Sequence, residues 1–239
     1  MNQSVYDIKL EWGLNGIETL APFSDIIIII DVLSFSTCVD IATSNGAIVF
    51  PYKYKDESAK EFAQLINAEL ASLRRNQNSF SLSPESLISI SKGTKLVLPS
   101  PNGSTLSLSA KKIPVVCGCL RNAKAIAEYA MTIGKKISLI PAGEQWQEHK
   151  NDGAIRFAFE DFIGAGVIIS YLKGTLSPES KSALSVFQSF SSNIFEEIKN
   201  CISGRELVEK GFEKDVELAC ELNVSSNVPV LKNNFYVSA

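Results

Sequence analysis

The chain has 239 residues, of which 45% are hydrophobic and 21% are charged, a composition typical of a globular protein large enough to bury a sizeable core. Its net charge of −3 argues against a nucleic-acid-binding surface, and no apolar run approaches the roughly 20 residues that cross a membrane. Because the first residues lack the basic and apolar regions of a signal peptide, we expect a cytoplasmic protein.

Five cysteines and a single histidine narrow the possible chemistry. The cysteine count is odd, and Cys117 and Cys119 have no second pair with which to complete a zinc site, so we expect free thiols. The single histidine, His149, excludes a multi-histidine metal site and disfavours a mechanism based on a serine–histidine pair. We expect its side chain to be solvated.

Hydrophobic periodicity predicts strands that alternate with helices along the chain. The predicted strands are residues 5–10, 26–30, 47–51, 95–98, 115–117 and 136–140. The predicted helices are residues 36–45, 56–73, 155–172 and 178–190, and another that begins near Ser203 and ends at Gly211. Residues 74–84 are rich in Ser and Asn and are predicted to form a loop. Such alternation is typical of βαβ units and a largely parallel sheet.

The second predicted strand consists of five isoleucines that lead directly into Asp31. A run this apolar and β-branched predicts a strand buried on both faces, which places Asp31 at its carboxyl end, where open α/β sheets bind ligands. Ser36 and Thr37 follow at a helix start, where hydroxyls and free backbone N–H groups suit a phosphate or a sulfonate. The stretch indicates a metal-assisted reaction on an anionic ester, with Asp31 as a nucleophile or a metal ligand. A simple cap of the next turn is the structural alternative.

A second unit repeats this order of strand, helix start, strand and helix. Its first helix start is Asn102-Gly103-Ser104, and its second is Arg121-Asn122, where a guanidinium and an amide can bind an anion. The Asn-Gly pair also suits an ordinary turn. We interpret the repeat as a duplication whose two corresponding anion-binding helix starts, Ser36-Thr37 and Asn102-Gly103-Ser104, face one cleft.

Two further carboxylate positions suit a metal. Glu160 and Asp161 are adjacent in a predicted helix flanked by aromatic and small residues, unlike the Lys- and Glu-rich face that a helix turns to solvent. Such oxygen ligands suit Mg²⁺, which often bridges carboxylates to a substrate phosphate. The alternative is an ion pair between Arg156 and Glu160 at helical spacing. Glu144 follows another predicted strand and is placed to join the same cleft.

Together these motifs resemble the 2-phosphosulfolactate phosphatase family over about residues 26–230. The segments that carry the resemblance are Asp31-Val-Leu, Pro101-Asn-Gly-Ser104, Gly118-Cys-Leu-Arg-Asn-Ala123, Pro141-Ala-Gly-Glu144, Glu160-Asp161 with Gly164-Ala-Gly166, and Ser203-Gly-Arg-Glu-Leu207 with Gly211-Phe-Glu-Lys-Asp215. The resemblance implies a Mg²⁺-dependent phosphatase that removes phosphate from (R)-2-phospho-3-sulfolactate, a step of coenzyme M biosynthesis. It also implies a three-layer α/β/α fold with two related halves around a largely parallel or mixed sheet.

With this resemblance, each candidate residue receives an expected role. The expected catalytic residues are Asp31 and Glu144, and the expected Mg²⁺ ligands are Asp31, Glu160 and Asp161. The expected substrate-binding residues are Ser34, Ser36, Thr37, Asn102, Gly103, Ser104, Arg121, Asn122 and Arg156. We expect one unit over residues 1–239, with possible halves 1–94 and 95–239 and the site between them.

Two departures from the family pattern bear on the substrate. Where many members carry Arg-Ala-Thr, this chain has Ser34-Phe35-Ser36, and a different loop replaces a Gly-rich segment of the family at residues 74–84. Arg74 or Arg156 is then expected to supply the missing charge. The expected partner is a small anionic phosphoester, without nucleic acid or membrane, and a homo-oligomer stays open. The alternatives are a phosphatase for another small phosphorylated hydroxy acid and a non-catalytic anion-binding module.

Overall fold

The computed structural model describes residues 3–72, 79–110, 113–145 and 155–239. The strands are β1 (Ile8–Leu10), β2 (Ile26–Ile30), β3 (Ile48–Tyr52), β4 (Glu69–Leu70), β5 (Lys95–Pro99), β6 (Val115–Gly118), β7 (Ile137–Pro141), β8 (Glu144–Gln145), β9 (Ile155–Arg156), β10 (Pro229–Lys232) and β11 (Phe235–Ser238). The helices are α1 (Gly13–Leu20), α2 (Phe35–Ser44), α3 (Glu57–Leu65), α4 (Pro84–Leu87), α5 (Gly103–Ser109), α6 (Ala123–Ile133), α7 (Phe159–Ile169), α8 (Pro178–Phe190), α9 (Ile194–Asn200), α10 (Ile202–Glu209) and α11 (Glu213–Cys220).

In the described part of the chain, nine strands form one mixed sheet in the order β1-β7-β2-β6-β10-β11-β3-β5-β4. The first four strands are mutually parallel, and so are the last three. The β10–β11 hairpin lies between them and is antiparallel to its neighbour on each side. The hairpin therefore joins two parallel blocks, and β8 with β9 forms a separate antiparallel ribbon.

The two repeated units of the sequence are interleaved in this sheet. They form β2-α2-β3-α3 and β5-α5-β6-α6. The first strand of each unit pairs with the second strand of the other, so β2 pairs with β6 and β3 pairs with β5. The predicted α/β fold with a mixed, largely parallel sheet is confirmed. A boundary between residues 94 and 95 stays a prediction.

The isoleucine strand shows why the fold has three layers. Ile26, Ile28 and Ile30 face a core built with α6, α7 and α8, whereas Ile27 and Ile29 face a second core built with α1, α2 and α5. All five side chains are completely buried. Each contributes on the order of 1.5–3 kcal/mol through burial of its apolar surface. The central strand thus needs an apolar residue at every position.

Some predicted boundaries are wrong for local reasons. The helix predicted at 56–73 ends at Leu65, because Asn67 adopts a left-handed conformation (φ 51°) and the following residues enter the sheet as β4. The helix predicted at 155–172 begins only at Phe159, because Ile155 and Arg156 form β9. Of the predicted loop, residues 74–78 lie outside the described residues, and Pro84 begins α4.

Other predictions concern the cysteines, the histidine and membrane spans. Within the described segments no cysteine forms a disulfide, as predicted. None of the described helices is long and apolar enough to cross a membrane. His149 lies outside the described residues.

Candidate active site

Four carboxylates gather where β2 and β7 end. Asp31 follows β2, Glu144 follows β7 and begins β8, and Glu160 and Asp161 lie in the first turn of α7. Asp31, Glu160 and Asp161 are only 7%, 3% and 3% exposed, and Glu144 is half-buried. The structure therefore brings together all four acidic residues that the sequence singled out. We call them the carboxylate cluster.

Asp161 joins the ends of two adjacent strands. Its Oδ1 accepts a hydrogen bond from the backbone N–H of Val32 at 2.8 Å, and its Oδ2 accepts one from Gly143 at 3.0 Å. Val32 follows β2 and Gly143 follows β7. The side chain of a helix residue thus satisfies two buried backbone donors and fixes the strand ends relative to α7.

Asp31 makes a corresponding connection to α5. Its Oδ2 accepts a hydrogen bond from the N–H of Gly103 at 2.9 Å, and its Oδ1 accepts a longer one from Phe35 at 3.4 Å. The starts of α2 and α5, which come from different repeated units, therefore meet at this carboxylate. A Cβ atom at position 103 would overlap the Phe35 ring and lie 2.8 Å from Asp31 Oδ2, so only glycine permits this approach.

The cluster carries more negative charge than its surroundings favour. Burial, followed by the charge of Glu144, raises the pKa of Asp31 to about 7, although backbone N–H groups act in the opposite direction. Burial, followed by the charges of Glu160 and Asp31, raises the pKa of Asp161 well above its ordinary value. A bound cation or a proton would relieve this repulsion.

The two glutamates accept hydrogen bonds from side chains of other segments. Glu144 accepts one from the side-chain amide of Asn102 at 3.2 Å. Glu160 accepts one from the thiol of Cys201 at 3.4 Å. Asn102 is the N-cap residue of α5 and Cys201 is the N-cap residue of α10. The glutamates therefore connect the cluster to the starts of two further helices.

The hydroxyl groups that were predicted to bind the substrate form hydrogen bonds with backbone groups near the site. Ser36 Oγ accepts a hydrogen bond from Asp31 N at 2.8 Å, Thr37 Oγ1 donates to Val32 O at 2.9 Å, and Ser104 Oγ donates to Leu98 O at 2.9 Å. All three hydroxyl residues are completely buried. Ser34 is the N-cap residue of α2, but its side chain forms no capping hydrogen bond. These contacts shape the turns that position Asp31, and direct substrate binding by the hydroxyls stays a prediction.

Arg121 and Asn122 belong to a separate buried network around Asp40. Arg121 Nε donates to Asp40 Oδ2 at 3.3 Å, and Arg121 also bonds Glu221. Asn122 Nδ2 donates to Asp40 Oδ1 at 3.3 Å. In the described part of the chain neither residue bonds the carboxylate cluster, so their role as substrate ligands stays a prediction without support from these contacts.

Arg156 lines a cavity together with Glu160 but does not form the ion pair with it that was the alternative to a metal-binding role. It is part of β9, not of a helix, so helical spacing does not apply. Its guanidinium donates to Ser203 Oγ at 3.1 Å. With Arg205 and Glu160 it lines a cavity of about 340 Å³. Arg74, the other expected source of positive charge, lies outside the described residues.

A larger cavity of about 420 Å³ borders the cluster at Asn102 and Ala142. Its lining includes Trp12, Lys53 and Thr105, none of which the sequence reasoning selected. One signal was available for Lys53, because it follows β3 as Asp31 follows β2, and strand ends are the usual ligand-binding positions.

The donor set is suited to a hard divalent cation. Among the described residues, no group of three or more His, Cys, Asp or Glu side chains is placed to hold a metal ion together. Mg²⁺, however, usually keeps several waters and takes one or two carboxylates together with substrate phosphate oxygens. Buried carboxylates with raised pKa values fit such a partial site, because a cation would offset their repulsion.

Gly103→Ala is expected to lower catalytic activity by roughly a hundredfold, because even a displacement of about 1 Å of Asp31 disturbs the reacting geometry. It should also destabilise the fold by about 1–3 kcal/mol through overpacking against Phe35. Turnover and urea unfolding would measure the two effects. Gly93→Ala is the control. Because φ at Gly93 is +83°, an alanine there should lower the free energy of unfolding by about 1 kcal/mol. The added Cβ atom would meet no other atom of the described residues within 4 Å, so activity should not change. Normal turnover of the Gly103 variant would contradict this packing argument.

Comparisons with known proteins point to one family. The family model described as 2-phosphosulpholactate phosphatase matches residues 16–234. A protein of Carboxydothermus hydrogenoformans named probable 2-phosphosulfolactate phosphatase is 30% identical over 211 residues, 85% of this chain and 84% of its own. Proteins named 2-phosphosulfolactate phosphatase are 32% identical over 142 residues in Methanothermobacter thermautotrophicus (59% and 58% of the two chains) and 29% identical over 218 residues in Methanocaldococcus jannaschii (88% and 90%). The carboxylate cluster falls within the matched segment.

Proposed function

Because the chain belongs to the 2-phosphosulfolactate phosphatase family, we propose that it hydrolyses 2-phospho-3-sulfolactate to 3-sulfolactate and phosphate. The structural observation that carries the proposal is the buried carboxylate cluster at the ends of β2 and β7. Such a group of oxygen ligands beside a ligand-sized cavity suits phosphate-ester hydrolysis. The substrate is a small anionic phosphoester, and we place the reaction in the cytoplasm, in line with the free thiols of the chain.

Asp31, Glu160 and Asp161 are the candidate Mg²⁺ ligands, of which one or two would hold the ion together with water and phosphate oxygens, because no three acidic side chains of the described residues are placed to bind it together. Each aspartate oxygen accepts a single backbone hydrogen bond, which leaves lone pairs for a cation. When bound, Mg²⁺ supplies positive charge that neutralises phosphoryl oxygens. We favour a ligand role for Asp31 over a nucleophilic role, because backbone N–H groups fix both of its oxygens and because a cation would offset the buried negative charge that it shares with Glu144.

Glu144 would move the proton. Hydrolysis forms a bond from a water oxygen to phosphorus and breaks the bond to the hydroxy-acid oxygen, which then needs a proton. Glu144 can accept the proton from the water and return it to the leaving oxygen. It is half-buried and oriented by Asn102, so it combines access to substrate with a fixed position.

A second candidate substrate is another small phosphorylated hydroxy acid. The observation that favours it is Ser34, which stands where many family members carry arginine. The next residue, Phe35, is completely buried against Tyr236, so it replaces no lost charge. An altered anion site would change the preferred substrate and preserve the reaction.

Phosphate release from a panel of phosphorylated 2-hydroxy acids, with Mg²⁺ present, tests the proposal. We expect the highest kcat/KM for 2-phospho-3-sulfolactate. A clear preference for 2-phospholactate or another member would support the second candidate. Absence of release, combined with calorimetric binding of these compounds, would show a non-catalytic anion-binding module.

A further inference from the structure

The 420 Å³ cavity lies between elements of both parallel blocks. Trp12 and Asn15 come from the start of α1, Lys53 follows β3, and Asn102 and Thr105 come from the start of α5. Its volume lies within the range of small-molecule sites. Asn102 lines the cavity and its side-chain amide also donates to Glu144, so one residue separates the cavity from the carboxylate cluster.

Two polar residues of this lining, the exposed Lys53 and the buried Thr105, form no side-chain hydrogen bond or ion pair among the described residues. Thr105 is only 8% exposed, and its hydroxyl oxygen is buried without a hydrogen-bond partner among the described residues. A buried hydroxyl without a partner is unfavourable, so rotation of this side chain toward an anion bound in the cavity would supply the missing hydrogen bond. Lys53 forms no ion pair within the described segments, and its ammonium lies 5.2 Å from the centre of the Tyr54 ring. The protein thus leaves both groups available.

Charge is distributed unevenly along the cavity. Its lining includes Lys53 but no Asp or Glu of the described residues, whereas the neighbouring cluster holds four carboxylates. The rival cavity near Arg156 and Arg205 includes Glu160 and Glu197 in its lining. An anionic group therefore meets less repulsion beside Lys53. Apolar walls such as Trp12 and Leu106 lower the local dielectric and strengthen the attraction.

We propose that Lys53 and Thr105 form the subsite that binds the sulfonate of the substrate, with the phosphate directed toward the carboxylate cluster. The inference rests on the proposed function for the identity of the ligand. Lys53 contributes the positive charge and Thr105 donates a hydrogen bond to a sulfonate oxygen.

The test compares three single variants of the full chain. Lys53→Gln removes the proposed contact. Lys55→Gln is the matched control, because Lys55 is an exposed lysine two residues away that does not line the cavity. Arg205→Gln tests the rival cavity. Calorimetry would give the dissociation constants of 3-sulfolactate and lactate, and turnover would give kcat/KM for 2-phospho-3-sulfolactate relative to 2-phospholactate.

For Lys53→Gln we expect sulfolactate binding to weaken by about ten- to a hundredfold, the usual range for a charge-assisted contact. The ratio of the two kcat/KM values should fall by a similar factor. Lys55→Gln and Arg205→Gln should leave both quantities within about twofold of wild type. Thr105→Val should weaken sulfolactate binding by a smaller factor.

Several results would overturn the subsite. Unchanged sulfolactate binding in Lys53→Gln would do so, and so would a loss that follows Arg205 in place of Lys53. Hydrolysis of phosphorylated hydroxy acids by the wild-type protein tests the proposed function separately. If wild-type protein hydrolyses no phosphorylated hydroxy acid but binds sulfolactate through Lys53, the phosphatase proposal fails and the sulfonate subsite stands.

Discussion

Asp31→Asn is expected to lower phosphate release by roughly a thousandfold or more, because several kcal/mol of charge stabilisation at the phosphoryl group would be lost. The fold should survive, since the asparagine oxygen can still accept the hydrogen bond from Gly103. Removing the charge also relieves the cost of burial and the repulsion by Glu144, which together raise the pKa of Asp31. Steady-state kinetics and urea unfolding of the purified variant would measure both quantities.

Asp40→Asn provides the matched control. Like Asp31, Asp40 is buried, but it bonds Arg121, Ser225 and Asn227 and lies outside the carboxylate cluster. The amide that this substitution introduces would face the Arg121 donor, so stability should fall by about 1–3 kcal/mol while kcat changes little. Asp31→Asn should therefore lose activity and keep its stability, whereas Asp40→Asn should lose stability and keep its activity. Full turnover by a folded Asp31→Asn protein would remove Asp31 from the mechanism.

Removal of divalent metal is expected to abolish activity, and added Mg²⁺ to restore it. The oxygen donors of the cluster and the excess of buried negative charge both favour a hard cation. Because the pKa of Asp31 is about 7 without metal, protons compete with the cation below that pH, so Mg²⁺ affinity should fall as the solution becomes more acidic. Turnover that persists after exhaustive chelation would contradict the metal requirement.

The metal-free protein should also show an unusual dependence of stability on pH. Asp31 has an ordinary pKa of 3.8 in the unfolded chain and about 7 in the folded one, so the folded state holds this proton more tightly. The free energy of unfolding should therefore fall as the pH rises from about 4 to about 7, by on the order of 4 kcal/mol from Asp31. Saturating Mg²⁺ should offset this loss. A stability that rises through this pH window in metal-free protein would contradict the raised pKa.

The sequence predicted the central features because they depend on local patterns. Five consecutive isoleucines can only be accommodated by a strand buried on both faces, and the residue after such a strand, Asp31, must lie at the edge of the sheet. Glu160 and Asp161 were recognisable because acidic residues are rare in an apolar helix. Each of these inferences needed only a short stretch of chain.

Contacts between distant segments could not be predicted in the same way. Asp31 meets Gly103 only because the repeated units exchange strands in the sheet, and no local pattern specifies that pairing. Ser36 and Ser104 were read as anion ligands, but their hydroxyls bond the backbone of their own turns. Whether a hydroxyl faces a ligand or a turn depends on side-chain orientation, which spacing does not determine.

The cavity beside the cluster was missed for a related reason. Lys53 and Thr105 are unremarkable in sequence, and they line one cavity because β3 and α5 are adjacent in the fold. The apolar walls likewise come from separate segments, which contribute Trp12, Leu106, Ala142 and Ile155.

The most direct test is the release of inorganic phosphate from 2-phospho-3-sulfolactate by the purified full chain. Metal-free protein should be inactive, addition of Mg²⁺ should produce phosphate and 3-sulfolactate in equal amounts, and Asp31→Asn should remain inactive under the same conditions. Phosphate release by the Asp31 variant at the wild-type rate, or no release by the Mg²⁺-loaded wild-type protein, would contradict the assignment of this cluster as the hydrolytic site.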